Sequence, residues 1–316
     1  MSKFVMMVGL PGVGKSTVAH KHYPNAVWVS SDAIREELWG DASDQRNPEV
    51  IFEEMERRTL EALNDYYDVV YDATNLHSRT RKKLVTSIKR QVPGVECICE
   101  LVITTISECK RRQFNRARKV PDEVIDRMAR SFQVPYTGEG WDDIIINRNG
   151  PQQNLAKEHT RLHETAHDNP HHTSGSVGAH CVNALKAVQN ILREEGKDPN
   201  SFGGEILRTA AYHHDLGKHK TKTFYNVKGE PSPIAHFYGH ENVGAYLWLS
   251  GDEAETDDWS ATEVLFIAQL IQLHMMPYFF PNKSREEWAA WCQRRGYSFD
   301  VESMVWTLHE ADLAAH

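Results

Sequence analysis

Cysteine is scarce in this 316-residue chain and is never set out in pairs. Cys97, Cys99, Cys109, Cys181 and Cys292 form no C-x-x-C and no zinc spacing. A disulfide framework and a structural zinc site are thereby excluded, and five buried thiols in a reducing cytoplasm are expected. No apolar run is long enough to span a membrane. Signal-peptide character is absent too, because the first apolar stretch, Phe4 to Leu10, is short and leads straight into a glycine-rich loop. Net positive charge is also lacking. At −8 overall, the chain is unsuited to high-affinity nucleic-acid binding driven by bulk electrostatics.

What is present suits two ordinary globular domains, with 40% hydrophobic and 25% charged residues. Residues 1–150 carry 22 lysines and arginines against 22 aspartates and glutamates, so the whole net charge falls on the remainder. That remainder also holds 14 of the 17 histidines. Acidic residues with clustered imidazoles suit divalent metals better than bare phosphate. One local basic patch, Lys110, Arg111, Arg112, Arg116, Arg118 and Lys119, could still hold a strand end.

The first half alternates strand and helix signals, as a parallel-sheet α/β domain does. Strands are expected over Phe4–Leu10, Ala26–Ser30, Asp68–Asp72, Glu96–Thr104 and Gly140–Asn147, with helices over Lys15–His22, Pro48–Tyr67 and Ser78–Gln91. A polar stretch with Gly150-Pro151 then breaks the pattern. The expected division is a domain over 1–150, a linker over 151–169 and an all-α domain over 170–316. Its helices are placed at Val177–Glu195, Glu205–His214, Asn242–Ser250, Thr262–His274 and Ser303–Ala315.

Gly9, Gly14, Lys15 and Ser16 complete the pattern G-x-x-x-x-G-K-S between a strand and a helix. In such a loop backbone amides point at phosphate oxygens, the lysine reaches the β- and γ-phosphates, and the hydroxyl ligates Mg²⁺. Gly9, Gly12, Gly14, Lys15, Ser16 and Thr17 therefore form the expected ATP-binding set. Parallel-sheet proteins place ligands at the carboxyl ends of their strands, which directs attention to Ser31-Asp32 with Arg35 and to Asp72-Ala73-Thr74-Asn75. A carboxylate three residues before an arginine can accept a hydroxyl proton while the guanidinium holds phosphate.

The segments GLPGVGKS, SSDAIR, DATN and CKRRQFNRARKVP resemble the polynucleotide 5′-kinase family of P-loop phosphotransferases, over about residues 1–147. The resemblance implies that Asp32 is the general base on a 5′-hydroxyl and that Arg35 binds the acceptor or transferred phosphate. It gives Asp72, Thr74 and Asn75 to the acceptor side, with Asp72 supporting Arg35 or holding Mg²⁺ through water. A lid arginine engages the ATP phosphates in that family; Arg116 is the best match and Arg112 the second.

In the histidine-rich half, adjacent His214-Asp215 supplies two metal donors from one helix end, with His180, His240, His274 and Asp312 spread along the chain. The segments NPHH, HHDLGK, HFYGHE and LHEADLAAH resemble the HD-domain phosphohydrolases, from about Asn169 onward. That resemblance implies a first metal on His180, His214, Asp215 and Asp312, and a second on His240 and His274 with Asp215 bridging. It makes Lys218 a contact for the substrate phosphate and His172 a phosphate contact or proton donor. His159, His163, His167, His219, His309 and His316 read as surface or supporting residues, and Trp288, Trp291 and Trp306 as core.

Together these features imply a P-loop kinase domain followed by an all-α HD domain, using ATP with Mg²⁺ and a transition metal (Mn²⁺, Fe²⁺, Co²⁺ or Ni²⁺). The leading expectation is a cytoplasmic enzyme that phosphorylates 5′-hydroxyl ends and clears 3′-phosphate or 2′,3′-cyclic phosphate ends. RNA or DNA ends are its expected substrates and a separate ligase its downstream partner, with no membrane and with homo-oligomerisation left open. End-healing fusions of this kind place the HD domain first, whereas this chain has the reverse order. The alternative is a small-molecule kinase joined to a nucleotidase; a regulatory protein that binds a nucleotide signal without cleaving it is a third class, which the full donor set argues against.

Overall fold

A computed structural model of the chain describes residues 2–116, 118–169, 175–252, 256, 258–280 and 284–315. The chain divides into two compact units, one of residues 1–128 with 135–151 and one of residues 129–134 with 152–316. In the first unit, β1 (Lys3–Val8), β2 (Val27–Ser30), β3 (Val69–Asp72), β4 (Glu96–Ile103) and β5 (Asp143–Arg148) form an all-parallel sheet in the order β2-β3-β1-β4-β5. Phe4 to Val8 are buried without alternation, as a central strand covered on both faces must be. The chain builds β2 and β3 on one side of β1 and β4 and β5 on the other. The loop after β1 thus sits where the strand order reverses, the usual ligand position in such sheets.

Helices α1 (Lys15–His22), α2 (Ser31–Trp39), α3 (Pro48–Asn64), α4 (Ser78–Gln91), α5 (Ile106–Gln113) and α6 (Asp122–Arg130) follow the strands or each other. Ser30 caps α2 by accepting from the Ala33 amide, and Gly40 ends it in the left-handed region at φ 69°. Thr105 caps α5 in the same way. All five cysteines are buried, as expected.

The second unit is helical: α7 (Leu155–Glu164), α8 (Val177–Glu194), α9 (Phe202–His213), α10 (Lys218–Thr221), α11 (His240–Leu249), α12 (Ala261–Leu273), α13 (Arg285–Arg295) and α14 (Phe299–Ala314). Helix α11 is buried nearly all round and forms the centre of the core, with Trp248 donating from Nε1 to the Val264 carbonyl at 3.0 Å. Phe132 packs edge-on against Tyr246, and Gln272 bonds the Val134 amide and the Phe132 carbonyl, which is why 129–134 group with this unit.

Two expectations need correction. The segment 151–169 is not a plain linker, because Asn154 caps α7, whose Leu155, Glu158, His159 and Leu162 are buried within the second unit. Nor is the second unit purely α. Strands β6 (Thr223–Tyr225) and β7 (Pro231–His236) form an antiparallel ribbon whose turn uses Gly229 at φ 80°. Three-residue pairing around two prolines leaves too little alternation for a sequence reading to detect. Among the described residues, no helix is long and apolar enough to cross a membrane.

Candidate functional site

At the carboxyl end of β1 the glycine-rich loop is held by its neighbours. Gly12 and Gly14 have φ of 88° and 92°, and a Cβ at Gly12 would come 2.7 Å from the Cys109 carbonyl, so only glycine fits. Lys15 Nζ donates to the carbonyls of Gly9 (3.0 Å) and Leu10 (3.1 Å). Burial lowers the Lys15 pKa, Arg116 adds to this, and the Asp72 carboxylate opposes it. Ser16 Oγ donates to Asp72 Oδ2 at 3.1 Å, which joins the loop to the end of β3. Burial raises the Asp72 pKa against the pull of Lys15.

Asp32, in the first turn of α2, lies close enough for its charge to act on both Lys15 and Asp72. Arg35 Nη1 donates to Asp32 Oδ1 at 3.0 Å, and Arg118 Nη1 stands 2.9 Å from Asp32 Oδ2. Arg35 is buried, and its Nε has no hydrogen-bond partner among the described residues. A guanidinium N–H placed in this way can donate to an anion.

The arginines of the basic segment differ in their contacts. Arg112 donates from Nη1 to the carbonyls of Gly12 (3.1 Å) and Val13 (2.9 Å), from Nη2 to Asn149 O (2.7 Å) and from Nε to Glu108 (2.7 Å). Its contacts serve the loop backbone, which corrects the reading of Arg112 as a second lid arginine. Arg116 is exposed and is the cation whose charge reaches Lys15. Thr17 is exposed on α1, and the Thr74 carbonyl accepts from the Gly9 amide.

Asn75 adopts φ 49° and donates from Nδ2 to Met7 O at 2.7 Å, so it ties the end of β1 to the loop after β3. The pair behind it was not recognised from sequence. Arg81 and Glu139 form a buried two-pronged ion pair (2.8 and 2.6 Å), and Arg81 also donates to Asn75 O at 2.9 Å. A separation of 58 residues and ordinary helix-surface surroundings gave no signal.

In the second unit the six expected donors converge. His180, His214 and Asp215 form one potential metal-holding group and Asp215, His240 and His274 another, so Asp215 is shared. His180 Nε2 donates to Asp312 Oδ1 at 2.7 Å, and His214 Nε2 lies 3.4 Å from both Asp215 and Asp312. His214, His240 and His274 each donate from Nδ1 to the carbonyl three residues earlier, Ala211, Phe237 and Ile271, at 2.7 to 2.8 Å. A carbonyl can only accept, so Nδ1 carries hydrogen and Nε2 is turned inward, the orientation that metal ligation requires.

Nε2 of His240 and Nε2 of His274 are 3.2 Å apart. With both Nδ1 atoms already donating, two inward lone pairs at that separation repel unless a shared cation lies between them. Burial and the neighbouring imidazoles lower the His274 pKa to about 3. For His214, burial lowers the pKa, but Asp215 and Asp312 outweigh it and raise it to about 9. Burial alone would raise Asp215 and Asp312; the charges of Lys218 and His214 hold Asp215, and hydrogen bonds from His180 and His214 hold Asp312, well below the usual range.

Lys218 Nζ pairs with Asp215 Oδ2 at 2.7 Å and lies over the Phe237 ring. Tyr278, not singled out in the sequence, donates to Asp312 Oδ2 at 2.8 Å. These groups open on a cavity of about 430 Å³. His172 and His316 lie outside the described residues. His159, His167 and His309 are buried and not on the surface; His159 bonds His213 at 2.8 Å, and His167 packs edge-on against His180. Trp288 is core as expected, with Trp291 stacked on it.

A family model described as an AAA domain matches residues 4–135. L-seryl-tRNA(Sec) kinase of Methanococcus maripaludis is 29% identical over 159 residues, 45% of this chain and 58% of that protein. The CRISPR-associated nuclease/helicase Cas3 subtype I-F/YPEST of Pseudomonas aeruginosa is 25% identical over 174 residues, 50% of this chain and 16% of that protein. The chain thus spans less than two thirds of the length of either relative. Among solved structures, the Pnkp1/Rnl/Hen1 RNA repair complex matches with a TM-score of 0.38 at 25% identity, over 45% of this chain and 46% of that one. A gluconokinase from Sinorhizobium meliloti matches with a TM-score of 0.34 at 17% identity, over 49% and 86%. The first unit has a P-loop kinase-like fold, and such a fold implies ATP and Mg²⁺.

Proposed function

We propose that the chain heals nucleic-acid ends with two sites. The first unit phosphorylates a 5′-hydroxyl polynucleotide end with ATP, and the second hydrolyses a 3′-phosphate or 2′,3′-cyclic phosphate as an HD-type phosphohydrolase. Ligation falls to a separate enzyme. The observation that carries the kinase reading is Asp32, with one oxygen on Arg35 and the other on Arg118, at the strand end beside the phosphate loop. The relative named for a tRNA-borne substrate supports an acceptor hydroxyl carried by nucleic acid.

In the kinase site Lys15 and the loop amides hold the ATP phosphates, and Ser16 would hold Mg²⁺, with Asp72 supporting it. Asp32 takes the proton of the 5′-hydroxyl as its oxygen bonds to the γ-phosphorus, and ADP leaves. Arg35 offers its buried Nε to the acceptor or transferred phosphate, and Arg116 faces the charge that develops during transfer.

The donor set of the second unit fits a pair of transition metals better than Mg²⁺, since imidazoles outnumber carboxylates. His180, His214, Asp215 and Asp312 would hold one ion and Asp215, His240 and His274 the other. When bound, such metals supply Lewis-acid polarisation and lower the pKa of water. Lys218 holds a substrate phosphate oxygen, and Tyr278 fixes the orientation of Asp312.

Labelled ATP offered with a 5′-hydroxyl oligonucleotide and, separately, with free nucleosides tests this reading; transfer to the nucleosides alone would overturn it. The cavity favours a second reading, a small-molecule kinase joined to a nucleotidase, because its volume lies within the range of about 300–1,000 Å³ usual for small-molecule sites.

A further inference from the structure

The cavity of the second unit has two unlike halves. Its floor is polar, formed by Asp215, Lys218, His240 and Asp312, whereas Phe237, Tyr238, Met275 and Phe279 bring apolar surface to it. Tyr238 is 40% and Phe279 72% exposed, so large aromatic faces are left to water at a site whose floor is built for phosphate. Tyr238 is also stacked on His236, with ring centres 5.2 Å apart and planes 10° from parallel. His236 is itself held through Nε2 by Ser232 Oγ at 2.9 Å, which fixes the pair as a flat surface.

Rim and floor are mechanically one piece. Residues 236–240 run from the end of β7 directly into α11, and the Phe237 carbonyl accepts from Nδ1 of the donor His240 at 2.8 Å. The Lys218 ammonium lies 5.4 Å from the centre of the Phe237 ring. The platform therefore sits at a set distance from the group that would hold phosphate.

We propose that Tyr238, backed by His236, and Phe279 form a nucleobase-stacking subsite that selects nucleotide-borne phosphoesters over phosphoesters in general. This rests on the reading of the second unit as a phosphoesterase and adds the residues that would recognise the base of its substrate. A base, a sugar and a phosphate span such a cavity in that order, the base on the aromatic rim and the phosphate on the floor. Because every base has a π face, stacking of this kind tolerates all of them.

Calorimetry on the full chain with Mn²⁺ tests the proposal, with adenosine 3′-monophosphate and glycerol 2-phosphate as probes. Tyr238→Ala and Phe279→Ala are each expected to weaken binding of adenosine 3′-monophosphate about tenfold, the size of one lost base stack. Tyr238→Phe should retain it, and glycerol 2-phosphate should bind all four proteins alike. Equal affinity for the nucleotide throughout, or an equal loss for glycerol 2-phosphate, would overturn the subsite. Hydrolysis of adenosine 2′,3′-cyclic phosphate by the same proteins separates the two claims. Base-dependent binding without hydrolysis by the wild type would remove the phosphoesterase reading alone, and hydrolysis with unchanged variant affinities would remove the stacking proposal alone.

Discussion

Arg118 stands 2.9 Å from the Asp32 oxygen that Arg35 leaves open. A carboxylate with a guanidinium on each oxygen is oriented to accept a proton. Asp32→Asn should keep ATP binding and lose phosphoryl transfer by at least about a hundredfold, since an amide cannot take the hydroxyl proton. Equilibrium ATP binding and single-turnover transfer check this together, and full transfer by the variant would contradict it.

Arg116 and Arg112 should separate kinetically. Arg116→Ala is expected to lower turnover at least about tenfold, a barrier change of roughly 1.4 kcal/mol. A change confined to acceptor affinity would show that Arg116 holds the strand instead.

Arg112→Ala removes the donor to three backbone carbonyls around the phosphate loop. Its effect should appear as weaker ATP binding and as a stability loss of about 1–3 kcal/mol, the worth of several hydrogen bonds to part-buried carbonyls. Chemical denaturation of the variant checks the second part; unchanged stability with slowed transfer would return Arg112 to the lid.

His159 gives a pH dependence of known sign. Burial lowers its pKa to about 4, from the 6.5 of a free imidazole. The unfolded chain therefore binds this proton first, and the stability from burying a neutral ring is lost as pH falls from about 6.5 toward about 4. Above that window it makes no further difference. His159→Gln should flatten the acid side of the stability curve by up to one proton; an unchanged slope in urea titrations at several pH values would count against it.

Much of the first site was legible because its parts are local. Lys15, Ser16 and Asp32 sit in short segments next to strands whose continuous apolar runs mark them as central. The donors of the second unit were legible through the adjacent His214-Asp215 and the resemblance of its segment to the HD-domain phosphohydrolases, and the structure buries all six together. Residues whose role depends on distant partners were not. Arg118 was only one cation in a basic run until α2 placed Asp32 beside it, and Tyr278 carries no sign that its hydroxyl reaches Asp312. Helix α7 was hidden by its polar composition: Glu158 and His159 are buried, but only because His219, Arg161 and His213 meet them there.

Asp215→Ala bears most directly on the claim that one chain carries two independent phosphate chemistries, because Asp215 belongs to both donor groups and to neither part of the P-loop site. Metal content should be measured alongside both activities on the same preparation. The account predicts loss of bound transition metal and of 3′-phosphate and 2′,3′-cyclic phosphate hydrolysis, with 5′-kinase activity intact. Hydrolysis that persists unchanged in the variant would contradict it.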